Sequence, residues 1–568
     1  MAASRIIRAG GGVDPSSVGE SLVSNLSIGD YLIKRLQDYG VRDIFGVPGD
    51  YVLSFYSQLE ESPLNVVGCT REDCAGFAAD AYARINGMGA VCITYCVGGL
   101  SLCNSIAGAY AEKSPVLVIS GSPGLSERHN NPLLHHKVRN FRTQSSVFQQ
   151  LCTAHAELAD PALAFQEIDR VLASMARYHR PGYIEIPRDV VGIVPEGSHR
   201  PQVRIPKSDS EVLAEAVQET AKLIAASRNP VIVAGVEIHR FGLQKQLLDL
   251  AERTQIPITT TMLGKSVVSE THPLFAGLYE GAMGRTEVTQ LVEESDCVIL
   301  LGAFMTDVNL GIYTANLDPA KCIAATSESL QISRHHYHDV LLSDFLEGVT
   351  AAVSQSETKS ISTRCKRYED KYELNPDAPI TIQRLISRLN QSLDDSTVVI
   401  ADIGDALFAS SELIIRKQTE FISPAYYTSM GFAVPAALGS LVGRPDLSVI
   451  AIVGDGAFQM TGMELSTIVR RGYAPVVIVL NNGGYGTERL LHKGEHAYNE
   501  IHSWRYHKLP EVLGGGKGYD VRTEGEFDKA IQTAIEDESG MSLIEVHLDP
   551  NDSSQTLNRL ADRLSKRV

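Results

Sequence analysis

Basic charge is scarce in this 568-residue chain: 51 Lys and Arg stand against 68 Asp and Glu, a formal net charge of −17 with His neutral. Phosphate backbones are repelled by such a chain, which excludes a general nucleic-acid or anionic-membrane binder. Paired cysteines are missing too. The nine are Cys69, Cys74, Cys92, Cys96, Cys103, Cys152, Cys297, Cys322 and Cys365. An odd count without CxxC excludes a disulfide framework or a zinc ribbon and fits reduced thiols in a cytoplasmic protein. No apolar core long enough for a signal peptide follows Met1. Residues 1–26 are rich in Gly, Ser and Ala, with Arg5 and Arg8 ahead of any acid, and read as a loose tail in preference to a transit peptide. Ile85 to Ala111 carries no charge, yet Thr94, Ser101, Asn104, Ser105 and repeated glycines make it a buried strand followed by a buried helix, not a bilayer span. Short repeats and low-complexity tracts are absent.

What is present is ordinary globular composition: 44% hydrophobic, 21% charged, and 47 glycines of the kind that α/β cofactor folds use for close backbone approaches. At about 150 residues per domain the length predicts three or four domains. Short Val/Ile-rich runs recur at 115–120, 182–187, 230–235, 297–302, 397–402, 447–454, 475–480 and 542–548. Amphipathic stretches such as 212–227 lie between them. Continuous apolar strands alternating with helices predict parallel sheets covered on both faces. Two polar, aperiodic segments, 195–210 and 354–379, read as linkers. The fold class expected is α/β with three doubly wound parallel-sheet domains, at 27–200, 205–355 and 375–568.

One pair of motifs carries chemistry. The run 447–453 leads into Gly454-Asp455-Gly456, and the run 475–480 leads into Asn481-Asn482-Gly483-Gly484. Ligands of parallel sheets sit at the carboxyl ends of strands, so Asp455 and Asn482 emerge on one rim. A carboxylate, an amide oxygen and a backbone carbonyl are hard ligands that suit Mg²⁺ or Ca²⁺ holding a diphosphate, with glycines letting amides approach the phosphates. A lone GDG is often only a turn. The second Asn of NN, 27 residues beyond Asp455, makes the pair specific.

This pattern resembles the thiamine-diphosphate enzymes, and the resemblance runs through essentially the whole chain after the N-terminal tail. It implies three domains: pyrimidine-binding, middle and diphosphate-binding. The metal ligands it implies are Asp455, Asn482 and the carbonyl of Gly484. In TREDCAGFAADAYAR (70–84), Glu72 by itself reads as a helix-start acid complementing the dipole. The resemblance makes it the carboxylate that activates the cofactor's aminopyrimidine, a relay suited to a pocket acid. The resemblance also assigns Thr94, Asp405, Gly454, Gly456 and Ala457 to cofactor binding. Met430 becomes the apolar wedge beneath the bent cofactor, and Thr428 the residue offering a carbonyl to its amino group.

Three features are similar to the non-oxidative 2-oxo acid decarboxylases, the pyruvate, indolepyruvate and phenylpyruvate group. FGVPGDYVLSF (45–55) carries Asp50, LLHHKV (133–138) carries His135 and His136, and Glu488 lies six residues past Asn482. Each has a plain alternative: a turn residue, solvated histidines, and an N-terminal helix acid. Together with the cofactor motif they imply proton handling by Asp50, His136 and Glu488, with His135 orienting, during loss of CO₂ and release of an aldehyde.

There are departures. Ala457 and Ala406 replace the Ser or Thr common in relatives, leaving diphosphate binding to backbone amides. Thr487 and Leu407 stand where pyruvate-specific members carry bulkier residues. With Leu491 they are the expected substrate pocket, sized for an aromatic or branched 2-oxo acid such as phenylpyruvate or indolepyruvate. The alternatives are pyruvate itself, or an acetolactate-synthase-like carboligase. The resemblance further implies that Glu72 and Glu488 of one site come from different chains, so at least a homodimer and usually a homotetramer.

Overall fold

The computed structural model describes residues 22–201, 206–354, 372–416 and 420–564. Three sheets account for its strands. The first has β1 (Asp43–Val47), β2 (Asn65–Gly68), β3 (Gly89–Ile93), β4 (Val116–Ser122), β5 (Ala154–Glu157) and β6 (Gly182–Pro187), in the order β2-β1-β3-β4-β6-β5. All its pairings are parallel. The second has β7 (Pro230–Ala234), β8 (Ile258–Thr260), β9 (Phe275–Leu278), β10 (Cys297–Leu301), β11 (Cys322–Ala325), β12 (Leu330–Ile332) and β13 (His335–Tyr337). Its order is β13-β12-β11-β10-β7-β8-β9. The third has β14 (Thr397–Ala401), β15 (Glu420–Ile422), β16 (Ser448–Gly454), β17 (Val476–Asn481), β18 (Lys517–Val521) and β19 (Ser542–His547), all parallel, in the order β15-β14-β16-β17-β19-β18.

The three-sheet α/β architecture is the one the apolar runs predict. The exception lies at one edge of the middle sheet, where β11-β12 and β12-β13 pair antiparallel. A two-residue connection, Ser333-Arg334, links β12 to β13, too short for the crossover a parallel pair needs. The middle sheet also shows why its strands read as unbroken apolar runs. Ile232 and Ala234 face one core and Val231 and Val233 another, so both faces are covered.

The uncharged stretch resolves as β3 and the helix Val97–Ala111. No helix among the described residues is long and apolar enough to cross a membrane. This helix packs on Glu72–Asn86 through small residues: a Cβ on Gly76 would stand 2.0 Å from Ser105 Oγ. Charge is buried in the same layer. Arg84 bonds Asp80 at 2.8 Å and Glu112 at 2.9 Å, all three side chains at most 3% exposed. Paired in this way the charges are tolerated, whereas removing one partner would strand the others.

By packing density the chain forms two compact units. One joins the N-terminal sheet to Val434–Asp446 and Thr461–Arg471; the other comprises Pro206–Ala433, Leu447–Met460 and Gly472–Val568. Of the expected tail, residues 1–21 lie outside the described residues, as do the linker stretches 202–205 and 355–371. Val23, inside the expected tail, is buried and exchanges backbone hydrogen bonds with His199 at 2.8 and 2.9 Å. The packed chain therefore begins before residue 27. The eight described cysteines are all free thiols. Cys365 lies outside the described residues.

Candidate active site

In the first unit, β1 pairs with both β2 and β3, so the carboxyl ends of all three strands share one rim. Asp50 follows β1, Glu72 follows β2 at the start of Glu72–Asn86, and Thr94 follows β3. Thr94 is 6% exposed and its hydroxyl has no hydrogen-bond partner. A Cβ added to Gly49 would meet Thr94 within 2.8 Å, and one on Gly98 would lie 3.5 Å from Glu72 Oε1 and from the Thr94 methyl. The backbone is thus stripped of side chains around an orphaned hydroxyl and a carboxylate.

The loop after β4 brings both histidines to Asp50. His135 Nε2 lies 2.8 Å from Asp50 Oδ2. The ring of His135 stacks on Tyr51 with centroids 4.7 Å apart, and His136 packs edge-on against His135 at 4.8 Å. One ligand-type atom from each of Asp50, His135 and His136 falls within 4.8 Å of the others. His136 is held at φ 65°, a left-handed conformation rare for a non-glycine residue, and its Nδ1 is buried without a partner.

Neighbours not visible as motifs complete this cluster. Arg188, just past β6, lies 3.7 Å from Asp50 Oδ2, over the Tyr51 ring at 5.1 Å, and is paired with Glu127. That pairing holds the Glu127 carboxyl below its usual range. Gln144 accepts the amide of Cys96, itself at φ 52°, at 2.5 Å, and donates to Ser120 and to Tyr183, each at 2.7 Å. It thereby fixes the turn that follows Thr94.

In the second unit, β16 and β17 are neighbours in register, Gly454 opposite Leu480. Asp455 and Asn482 therefore leave the sheet side by side. Asp455 is 1% exposed. Its Oδ1 accepts the amide of Gly456 at 2.8 Å, and its Oδ2 accepts those of Gly483 at 2.8 Å and Gly484 at 3.1 Å. Burial pushes this carboxyl up to about 6, against the pull of those amides and of Arg489. Arg489 donates to the carbonyls of Asn482 at 3.1 Å and Gly483 at 2.8 Å, staking the loop down. Gly484 is obligatory: its φ is 146°, and a Cβ would stand 1.9 Å from the Asn499 carbonyl.

A cleft of about 70 Å³ opens there. Of the residues singled out above, Asp405, Ala406, Met430, Gly454, Asp455, Gly456, Ala457, Asn482, Gly484, Thr487 and Glu488 line it. Glu488 is in the first turn of the helix Gly486–Leu491. Asp405 lines the cleft with both oxygens already engaged by Ser554, one by its hydroxyl and one by its amide at 2.8 Å. Burial pushes its carboxyl up to about 6. Thr428 is exposed at φ 58°, and Leu491 is half-buried; neither is part of the cleft lining. Leu407 does not face the cleft: it is fully buried in the hydrophobic core. In the helix Asp405–Ser410 the cleft side is taken by Asp405 and Ala406, so the next residue turns inward. Asp402, at the end of β14, accepts the amides of Gly431 at 3.1 Å and Ala433 at 2.8 Å, fixing the segment that presents Met430.

The donor set fits the expected group. One carboxylate, one amide oxygen and one free carbonyl are hard oxygens for Mg²⁺, while the small residues Gly454, Gly456 and Ala457 leave room for phosphate. Family models agree over three segments. The N-terminal thiamine pyrophosphate (TPP) binding domain matches 26–152, the central domain of thiamine pyrophosphate enzymes 217–351, and the C-terminal TPP binding domain 402–546. The chain belongs to the thiamine pyrophosphate enzymes. Within the family it is 34% identical over 542 residues to an indole-3-pyruvate decarboxylase of Azospirillum brasilense, covering 94% of this chain and 97% of that one. An alpha-keto-acid decarboxylase of Mycolicibacterium paratuberculosis is 34% identical over 532 residues (92% and 94%). One of Mycobacterium tuberculosis is 32% identical over 545 residues (95% and 97%).

Proposed function

We propose that this chain decarboxylates a 2-oxo acid non-oxidatively to an aldehyde and CO₂, using thiamine diphosphate and Mg²⁺. The observation that carries the reading is the convergence of Asp50, His135 and His136 on the same rim as Glu72 and Thr94. Two imidazoles and a carboxylate can hold and pass protons near neutral pH, which an aldehyde-releasing reaction requires. The names of the relatives, which are decarboxylases of indole-3-pyruvate and of alpha-keto acids, support the same class.

When bound, thiamine diphosphate supplies the nucleophilic carbon and the electron sink for loss of the carboxylate. The chain's own residues do the rest. Asp455, Asn482 and the Gly484 carbonyl would hold the metal, and the amides around Gly456 and Ala457 would hold the diphosphate. Met430 supports the ring system, Thr428 contributes its carbonyl, and Asp405 stiffens the cleft wall through Ser554. Glu72 would hold a proton for the cofactor's aminopyrimidine, with Thr94 beside it. Asp50, His136 and Glu488 move protons at the reacting carbon, and His135 orients Asp50 across their 2.8 Å contact.

The substrate we favour is aromatic or branched, phenylpyruvate or indolepyruvate. Thr487 on the cleft wall leaves that room. Leu407, being core, has no part in the argument. The domains assigned are 27–200, extended at its start to take in Val23, then 205–355 and 375–568. A site drawing on Glu72 and Glu488 of different copies makes the protein at least a homodimer, and we favour a homotetramer. Free thiols suit the cytoplasm.

The test is a panel of 2-oxo acids with thiamine diphosphate and Mg²⁺, read by coupled reduction of the aldehyde. CO₂ and aldehyde without an electron acceptor are expected, with Glu72→Gln nearly inactive. Acetolactate-type coupling alone, or a need for an oxidant, would sink the reading.

A further inference from the structure

The second unit contains another cavity, of about 300 Å³, which shares no residue with the cofactor cleft. It is bounded by β9 and the turn after it, by residues 411–414, by Gln383 and by the first turn of the helix Gln555–Leu564. Phe275, Leu278, Leu413 and Ile414 give it apolar wall. A cavity of this size with mostly apolar lining and a few convergent polar groups is the usual form of a small-molecule site.

Its charged lining is unevenly satisfied. Glu270 is paired with Lys265 at 2.5 Å and accepts the Ile415 amide at 3.1 Å. Glu412 accepts Gln383 Nε2 at 2.8 Å. Glu280 is different: it is 3% exposed, and its Oε1 is buried with no partner. Arg559 donates Nη2 to Thr556 Oγ1 at 3.1 Å while its Nε is buried unpaired. Arg559 is also the cation acting most strongly on Glu280. An unsatisfied buried acceptor and an unsatisfied buried donor cost folding free energy, so their survival beside a cavity points to a ligand that uses both.

We propose that this cavity binds an α-amino acid with an apolar side chain, its ammonium on Glu280, its carboxylate on Arg559 and its side chain against Phe275, Leu278, Leu413 and Ile414. The zwitterion matches both unspent groups. A 2-oxo acid offers no cation to Glu280, and a plain amine offers no anion to Arg559. Binding is pH-dependent, because burial and Glu412 push the Glu280 carboxyl up to about 7 while Arg559 and Lys265 pull it down. Arg285 and the Lys265-paired Glu270 are the other charged groups of the lining. An ammonium needs the ionised carboxylate, so affinity falls as pH drops below about 7, approaching tenfold per pH unit.

The experiment is calorimetric titration of L-phenylalanine and L-leucine into the full-length chain saturated with thiamine diphosphate, at pH 8 and pH 6. One saturable site per chain is expected. Binding should weaken about tenfold or more in Glu280→Gln and in Arg559→Gln, the loss of a charge-assisted contact. Leu278→Trp fills the apolar side without touching either charged group and should give the same loss, which covers the case of a charge variant that does not fold. The proposal is overturned by absence of saturable binding at millimolar amino acid or by equal affinity in the wild type and Glu280→Gln. It is also overturned if phenylpyruvate or phenethylamine displaces L-phenylalanine as well as L-leucine does.

Discussion

At the scale of single residues, the arrangement on which the proposed proton handling rests is the contact of 2.8 Å between His135 and Asp50. Asp50→Asn and His135→Gln should each lower turnover by ~10²–10⁴. Titration calorimetry should find thiamine diphosphate affinity unchanged in both. A loss of cofactor binding instead would make these residues part of the cofactor site. Glu280 makes a second prediction. Its folded carboxyl lies at about 7, above the unfolded range, so the native state holds a proton that the unfolded chain releases. Stability contributed by that proton is present at low pH and is lost as pH rises toward 7, up to about 3 kcal/mol. Chemical denaturation of Glu280→Gln should lack that fall and leave the variant more stable than wild type at pH 8. The residues visible from sequence were those with a motif around them: Asp455, Asn482, Glu72 and the two histidines. Gln144 and Arg188 had none, and Tyr51 and Arg489, next to the motif residues Asp50 and Glu488, carried no signal of their own. Arg188 lies 138 positions from Asp50, and only the shared rim of β1 and β6 makes them neighbours.

At the scale of elements, the apolar runs mark strands to within a residue or two. GYIEIP is β6, all six residues buried, because a central parallel strand has no solvent face to mark with polar residues. The β12–β13 edge carried no such signal: its three-residue strands, one beginning with the exposed His335 and His336, are too short and polar to stand out. Leu407 misled for a related reason. A motif position names a place in the chain, whereas the side facing the cleft is set by helical rotation, and Leu407 turns into the core. The loop 482–484 is the element on which the proposed metal site depends. Gly484→Ala would drive a Cβ into the Asn499 carbonyl, and metal-dependent cofactor binding should be abolished while far-UV circular dichroism stays that of the wild type. Arg489→Met leaves the ligands and removes their stake; Mg²⁺ affinity, measured by titration of cofactor binding, should weaken about 10–100-fold.

At the scale of the whole molecule, the proposed site requires two copies. Mixed dissociation and reassociation of inactive Glu72→Gln with inactive Glu488→Gln should restore activity, because a hybrid dimer contains one site with both glutamates intact. No recovery above either parent would place both residues in a site within one chain. The charge of −17 sets a related condition. A diphosphate and a 2-oxo acid are anions that the global field repels, so attraction must be local, from a bound metal, oriented amides and the imidazoles of His135 and His136. Sequence alone determined the three α/β sheets and the cofactor class, and from it the hard-oxygen ligand set is proposed. Apolar periodicity and a fixed motif spacing are local properties, and they survive without knowledge of the fold. Tertiary structure decided what depends on contacts between distant segments: the company Asp50 keeps, the burial of Leu407, and the unpaired Glu280 and Arg559 beside their cavity. Side chains brought together by sheet order and helix rotation leave no periodic trace along the chain.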